Sequence, residues 1–148
     1  MPGLNRLHYD GGYWPESIET VKDTAILDFI EKNLWLIPLA PRENGYDELA
    51  ETHIKEENAR ALAEAADECW KAINAQDVDA WGKACTASFE AQVAMFPNMI
   101  SPHVQKAIDE YKGNVKGYKI TGAGGGGYLV IVNDKPIQNA IQIRIRRN

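Results

Sequence analysis

The sequence predicts an α+β fold in which helices pack on one face of an antiparallel sheet. Two observations support this prediction: helical periodicity is concentrated between residues 56 and 113, and strand-like patterns follow from residue 118 onward. Helices in one block and strands in another favour α+β over the alternating order of a parallel α/β sheet. The chain has 148 residues, 45 % apolar and 25 % charged, so we expect residues 1–148 to form one domain.

The first third of the chain predicts short strands and two helices. Asp23 or Thr24 can cap a helix whose apolar residues share one face. Pro38 lacks a backbone donor, which favours a sheet edge or the end of a strand. The predicted elements are two extended pieces, Arg6–Tyr9 and Ser17–Val21, a helix, Thr24–Lys32, an apolar strand, Leu34–Ala40, and a short helix, Tyr46–Thr52.

The middle of the chain predicts three helices. One covers Glu56–Ala75, a second begins after the cap residue Asp77, and the short link between them implies a helical hairpin. A third begins at Ser101, with Pro102 as its first residue, and ends at Gly113. The first of these helices is predicted to turn inward a stripe made of Ala59, Leu62, Ala63, Ala66, Cys69, Trp70 and Ile73.

The last part of the chain predicts three strands. Two of them, Tyr118–Thr121 and Tyr128–Val132, flank a glycine-rich segment. The third, Ala140–Arg146, alternates isoleucine with polar residues, which is the period of a half-buried antiparallel strand.

The glycine-rich segment KITGAGGGGYLVIV is difficult to explain by stability alone. Each ordered glycine costs about 0.5 to 1 kcal/mol relative to alanine, so we expect a role for the backbone itself, such as holding an anion on its N–H groups. A dinucleotide-binding turn is excluded because a strand, not a helix, follows the run, and a Walker loop is excluded because no Lys-Ser or Lys-Thr closes it. A flexible hairpin loop remains the alternative.

With its flanks, the segment GYKITGAGGGGYLVIV resembles the third, C-terminal motif of the GHMP kinases, which include galactokinase, homoserine kinase, mevalonate kinase and phosphomevalonate kinase. The match consists of a lysine, an apolar residue, a threonine and then Gly-Ala-Gly with further glycines before an apolar strand. The helices from Asp77 through PNMISPHVQKAIDEY also resemble the family's approach to this motif, and LIPLAPR is similar to its sugar-kinase branch. The matched motif residues are Lys119, Ile120, Thr121, Gly122, Ala123, Gly124, Gly125, Gly126 and Gly127.

This resemblance implies a ferredoxin-like C-terminal domain of an ATP-dependent kinase acting on a small molecule, most plausibly a sugar. The family's nucleotide loop and its catalytic and magnesium-binding acidic groups usually lie in an N-terminal domain, whose serine-rich loop has no counterpart in this sequence. ATP and Mg²⁺ therefore belong to the complete enzyme, and we expect no catalytic residue, no bound cofactor and no kinase activity in this chain alone. The alternative is a regulatory α+β module that binds an anion or metabolite without chemistry.

Several residues are candidates for the site. The resemblance implies that Gly122, Ala123, Gly124, Gly125, Gly126 and Gly127 contact the nucleotide phosphates or the neighbouring loop. Arg42, Asn98 and Lys119 are candidates for substrate binding, each against a plainer interpretation as a surface, turn or strand residue. The three histidines are scattered without metal-ligand spacing, so no metal site is predicted.

Composition limits the partners and the compartment. The net charge of −5 is spread along the chain, which argues against nucleic acid, and no apolar run is long enough to cross a bilayer. Two cysteines without ligand or disulfide spacing indicate buried thiols in a reducing, cytoplasmic setting. A domain without its N-terminal kinase partner would expose apolar surface, and a homodimer through that surface is expected.

Overall fold

The computed structural model describes residues 1–47 and 49–148. Six strands and four α-helices follow one another along these residues, with one short 3-10 turn, Pro97–Met99, before the last helix. The elements are β1 Leu4–His8, β2 Ser17–Val21, α1 Thr24–Asn33, β3 Leu34–Pro38, α2 Glu56–Asn74, α3 Val78–Met95, α4 Pro102–Tyr111, β4 Gly117–Ile120, β5 Tyr128–Val132 and β6 Ile141–Gln142.

The strands form a separate β1–β2 hairpin and a four-stranded sheet with the order β4-β5-β3-β6. Every pairing in both sheets is antiparallel. The predicted α+β fold, with an antiparallel sheet and helices packed on it, is confirmed. Pro38 lies at the end of β3, opposite Tyr128, where its missing donor is tolerated.

Alternate residues of the sheet contribute to two buried clusters. Leu129 and Ile131 of β5 join a cluster with Phe89 of α3 and Val104 and Ile108 of α4. Val132 of the same strand joins the other cluster, whose buried members include Leu27 and Ile30 of α1, Ala72 and Ile73 of α2, and Trp81 and Cys85 of α3. The sheet therefore fixes all four helices, and β5 lies at its centre.

Helix α3 crosses strand β4 at very short range. A Cβ atom placed on Gly117 would lie 1.9 Å from the carbonyl oxygen of Gly82, so the two backbones meet where neither residue has a side chain. A hydrogen bond also links the two elements, since the N–H of Tyr118 in β4 donates to the side-chain Oγ1 of Thr86 in α3 over 3.1 Å. This contact fixes the position of α3 relative to β4.

The predicted inward stripe of α2 is only partly correct. Ile73 is buried, but Ala63 and Ala66 are exposed, and Trp70 is half-buried. Helix α2 instead buries Ala65 and Ala72, because alanine side chains let it pack closely on α3. One apolar side of α2 consequently lines an open cavity beside β1.

The predicted strand over Ala140–Arg146 is too long. Only Ile141–Gln142 pairs with β3, and the chain then leaves the sheet. The buried carboxylate of Glu31 is the reason: it accepts the N–H of Ile145 over 2.6 Å and forms ion pairs with Arg144 and Arg147. The carboxylate of Glu31, on α1, thus accepts donors of the segment that the alternating pattern predicts to continue the strand.

The predicted short helix Tyr46–Thr52 includes Glu48, which lies outside the described residues. On either side of it, the described residues form turns, including a bond from the N–H of Leu49 to Oδ1 of Asp47.

Candidate functional site

The glycine loop, residues 121–127, connects strands β4 and β5. Its base is closed by the N–H of Thr121, which donates to the carbonyl of Tyr128 over 3.0 Å, and by a contact of 3.3 Å between the N–H of Tyr128 and Oγ1 of Thr121. Gly124, Gly125 and Gly126 are buried, whereas Gly122 and Gly127 are exposed. The loop is therefore folded back against the domain.

Two of the glycines are required by close contacts as well as by conformation. Gly124 has φ +79°, and a Cβ atom there would lie 2.6 Å from Cβ of Met99. Gly125 has φ +68°, and a Cβ atom there would lie 2.4 Å from the ring of Tyr46. A side chain at either position would be strained and would also clash, so the loop depends on bare backbone.

The carbonyl groups of the loop are held by the segment that follows β3. The Tyr46 hydroxyl donates to the carbonyl of Ala123 over 2.8 Å, and Nε of Arg42 donates to that of Gly124 over 2.9 Å. The N–H of Leu39 donates to the carbonyl of Gly127 over 2.9 Å. The Arg42 guanidinium also lies 5.5 Å from the centre of the Tyr46 ring, so these two side chains form one brace.

The amide groups of the loop are used much less. The N–H of Gly125 donates to the carbonyl of Met99 over 3.0 Å. Within the described part of the chain, the N–H groups of Gly122, Ala123, Gly124, Gly126 and Gly127 have no recorded acceptor. The carbonyls of the loop are thus held by the segment after β3, while most of its amides have no recorded acceptor among the described residues.

The three other candidate residues lie in different surroundings. Arg42 braces the loop through Nε, and the four N–H donors on its two terminal nitrogens have no recorded partner within residues 1–47 and 49–148. Asn98, in the 3-10 turn beside Met99, donates to the carbonyl of Asp47 over 3.2 Å. Lys119 is directed to α3 instead, where its Nζ donates to Oγ of Ser88 over 2.9 Å. Substrate binding by these residues stays a prediction.

Sequence reasoning missed Tyr46 and Met99 as parts of this site. Tyr46 was assigned only to a short predicted helix, yet its hydroxyl and ring both contact the loop. Of the two cysteines, which the sequence predicts to be buried, Cys85 is buried and Cys69 is half-buried. Burial raises the pKa of Cys85 to about 12 and also raises the pKa of Cys69. Both therefore remain neutral thiols at physiological pH.

The described residues contain no group of three or more His, Cys, Asp or Glu side chains arranged to hold a metal ion. None of the helices described here combines the length and apolar character needed to span a membrane.

Comparison with known proteins gives a match among solved structures. No protein-family model and no curated protein matches this sequence. Among solved structures, the crystal structure of mevalonate kinase is similar to it, with a TM-score of 0.59 and 22 % sequence identity. The similarity covers 80 % of this chain but 38 % of that chain, so the present chain spans well under two thirds of the length of mevalonate kinase. The two share a fold over this region, and mevalonate kinase is a member of the family that the glycine motif resembles.

Proposed function

We propose that this chain is the C-terminal domain of an ATP-dependent small-molecule kinase, and that its glycine loop lines the phosphate or substrate site of the complete enzyme. The observation that carries the proposal is the loop itself, whose carbonyls are held by Tyr46, Arg42 and Leu39 while most of its amides have no recorded acceptor. The shared fold with part of mevalonate kinase supports it.

The chemistry of phosphoryl transfer fits such a loop. The reaction depends mainly on positioning the reacting groups and on stabilising the charge of the phosphoryl oxygens. Fixed amide donors hold these oxygens in place and stabilise their charge through hydrogen bonds, without having to reorganise during the reaction. The guanidinium group of Arg42 adds a positive charge beside the loop, and its two terminal nitrogens carry the donors that have no recorded partner among the described residues. ATP would supply the transferred phosphoryl group, and a sugar hydroxyl would accept it.

Mg²⁺ requires ligands from elsewhere. The described residues offer no cluster of carboxylates to hold the ion, so its ligands in the complete enzyme would come from ATP and from the N-terminal domain. That domain is also the expected partner of exposed apolar side chains, among them Tyr13, which is 87 % exposed, and Trp14, which is 77 % exposed. Self-association through the same surface and a cytoplasmic location stay predictions.

The test is reconstitution with the N-terminal kinase domain encoded upstream of this segment, whether in the same reading frame or in a separate gene. We expect the pair to phosphorylate a member of a sugar panel with ATP and Mg²⁺, and this chain alone to show no turnover. Gly124→Ala should lower the rate at least tenfold in the reconstituted enzyme, whereas Gly113→Ala, which lies in open space, should leave it unchanged. Turnover by the purified chain alone would contradict the division of labour between domains.

A regulatory module that binds an anion without chemistry is the second candidate. The same unpaired amides would serve it. It is favoured if the upstream region encodes no nucleotide-binding domain and if phosphate still shifts the loop amides in solution.

A further inference from the structure

A cavity of about 570 Å³ lies where β1, α2, α3 and β4 meet, and we call it the Lys119 cavity. Its wall on the α2 side includes Ala63, Ala66 and Trp70, the apolar stripe that the sequence predicts to be inward-facing. None of its lining residues belongs to the glycine loop or to the brace behind it. It is therefore a separate feature of the domain.

The polar centre of the cavity is the ammonium group of Lys119. Its Nζ is held 2.9 Å from Oγ of Ser88, a residue that is itself 7 % exposed. Among residues 1–47 and 49–148, no carboxylate forms an ion pair with this ammonium, and Ser88 is its recorded hydrogen-bond partner. An ammonium group carries three donors, so two of them are available to a ligand.

The charges that line the cavity do not cancel. Arg6 forms an ion pair with Asp67, the carboxylate of the lining, which leaves Lys119 unmatched. Cys69 and Cys85 also line the cavity, and burial raises the pKa of both, so neither supplies a thiolate. The ammonium of Lys119 is thus a positive charge without a recorded ion-pair partner in the described part of the chain, whose full sequence has a net charge of −5.

The apolar part of the cavity includes the ring of Trp70 beside the alanine side chains of α2. The guanidinium carbon of Arg6 lies 5.9 Å from the centre of the Trp70 ring, and this pair continues the alanine wall of α2. An aromatic or aliphatic body could pack on this wall while its charged head reaches Nζ. The rest of the lining is polar and comprises Asn5, Arg6, His8, Asp67, Ser88 and Lys119. Small-molecule sites combine apolar walls with polar groups that orient the ligand in this way.

We propose that the Lys119 cavity binds a small organic anion, with a phosphate or carboxylate head on the ammonium of Lys119 and an apolar body against Trp70. The proposal does not depend on the glycine loop, because no residue that lines the cavity belongs to that loop or to its brace. It gives Lys119 a different role from the kinase-substrate contact that the sequence predicts. The bound anion would connect β1 and α2 to the strand that leads into the glycine loop.

The test uses phenyl phosphate and benzoate as probes of the two head groups, with phenol and inorganic phosphate as probes that lack one half of the ligand. We expect at least one organic anion to shift the backbone amide signals of Ala66, Ser88 and Lys119 in nuclear magnetic resonance spectra. Phenol and inorganic phosphate should bind at least tenfold more weakly. Higher salt should weaken the binding of the organic anion, since the attraction is partly between charges.

Lys119→Met should weaken that binding roughly ten- to a hundredfold, because it removes a charged donor and keeps the apolar stem. Lys135→Met, which removes an exposed charge outside the cavity, is the matched control and should leave the affinity unchanged. Equal affinity in Lys119→Met and wild type would overturn the proposal, as would shifts confined to the glycine loop or the absence of binding by both organic anions. If Lys119→Met does not fold, the positions of the shifted amide signals in the wild-type chain show whether the organic anion binds in the Lys119 cavity.

Discussion

Two irregular segments beside the same sheet are held in opposite ways. The glycine loop is held through its carbonyls, which accept from Tyr46, Arg42 and Leu39, and most of its amides are left without a recorded acceptor. The C-terminal segment is held mainly through its donors, since Glu31 accepts the N–H of Ile145 and the guanidinium groups of Arg144 and Arg147. One of its carbonyls, that of Arg146, also accepts the N–H of Gly3 over 2.8 Å.

The difference separates a segment whose donors are paired within the domain from one whose amides mostly have no recorded acceptor among the residues described. A buried backbone donor without an acceptor costs stability, so folded chains almost always pair such groups. The C-terminal segment follows that rule with a carboxylate supplied by α1. In the glycine loop, Gly122 and Gly127 are exposed, so water can accept their amides, whereas Gly124 and Gly126 are buried residues whose amides have no recorded acceptor within the described residues. Under the proposed function, a phosphate or another domain would supply acceptors for these two.

The largest effect is expected from Gly125→Ala. The new methyl group would meet the Tyr46 ring at 2.4 Å in a backbone conformation with φ +68°. Left-handed strain and overpacking together should lower the free energy of unfolding by about 2 to 5 kcal/mol, measured by urea denaturation. Gly113→Ala, which meets no atom within 4 Å, is the control and should change it by less than about 1 kcal/mol. Wild-type stability in Gly125→Ala would show that Tyr46 does not pack on the loop in solution.

Glu31→Gln should release the C-terminal segment and lower the melting temperature at neutral pH. The pKa of Glu31 is held below its ordinary value of 4.5, chiefly by the N–H of Ile145 and then by Arg147 and Arg144, against the opposing effect of burial. A lowered pKa means that the carboxylate stabilises the fold above pH 4.5 and loses this contribution as the pH falls through the folded-state pKa.

The difference in melting temperature between wild type and Glu31→Gln should therefore be constant above that pH and shrink below it. Glu64→Gln, at an exposed position of α2, is the matched control and should show no such difference. A difference in melting temperature between wild type and Glu31→Gln that does not shrink below pH 4.5 would contradict the stabilising role given to the Glu31 carboxylate.

Tyr46→Phe should have a smaller effect, because the ring that packs on Gly125 is kept. The variant loses the donor to the carbonyl of Ala123, which should cost about 0.5 to 1.5 kcal/mol of unfolding free energy. The amide of Gly125, which donates to the carbonyl of Met99, should also exchange faster with solvent. Tyr13→Phe, at a highly exposed position, controls for the loss of a hydroxyl and should have no effect. No change in Tyr46→Phe would mean that Arg42 and Leu39 suffice to hold the loop.

The smallest effect, and one of opposite sign, is expected from Gln92→Met. Among the described residues, Oε1 of Gln92 is a buried side-chain acceptor without a donor, which makes it the counterpart of the unpaired loop amides. Replacing the amide with an apolar group should raise stability by up to about 1 kcal/mol in thermal or urea unfolding. Gln105→Met, which loses an exposed bond to Asp109, should give no gain. Destabilisation by Gln92→Met would indicate a partner for this acceptor.

Local signals in the sequence predicted much of the fold. Asp23 caps α1 through bonds to the N–H groups of Ala25 and Ile26, and Pro102 begins α4, as their residue types indicate. The bounds of β5 coincide with the apolar run from Tyr128 to Val132. Each of these features is determined by residues close together in the chain.

Contacts between distant residues account for what was missed. Arg42 and Tyr46 reach the glycine loop across about eighty residues, and no periodicity or cap encodes such a contact. Glu31 is still farther along the chain, 114 residues from Ile145, whose N–H it accepts after the end of β6. On α2, the stripe containing Ala63 and Ala66 fits the helical period, but small side chains let α3 pack on a neighbouring face.

The close crossing of α3 and β4 has a consequence for solubility. Strand β4 lies at the edge of the four-stranded sheet, where unpaired backbone groups can recruit a strand from another molecule and begin aggregation. The helix covers this edge, with Gly82 against Gly117, and Thr86 accepts the N–H of Tyr118 that such a strand would use. The two glycines thus bring α3 close enough to β4 to block the addition of a strand from another molecule at this edge.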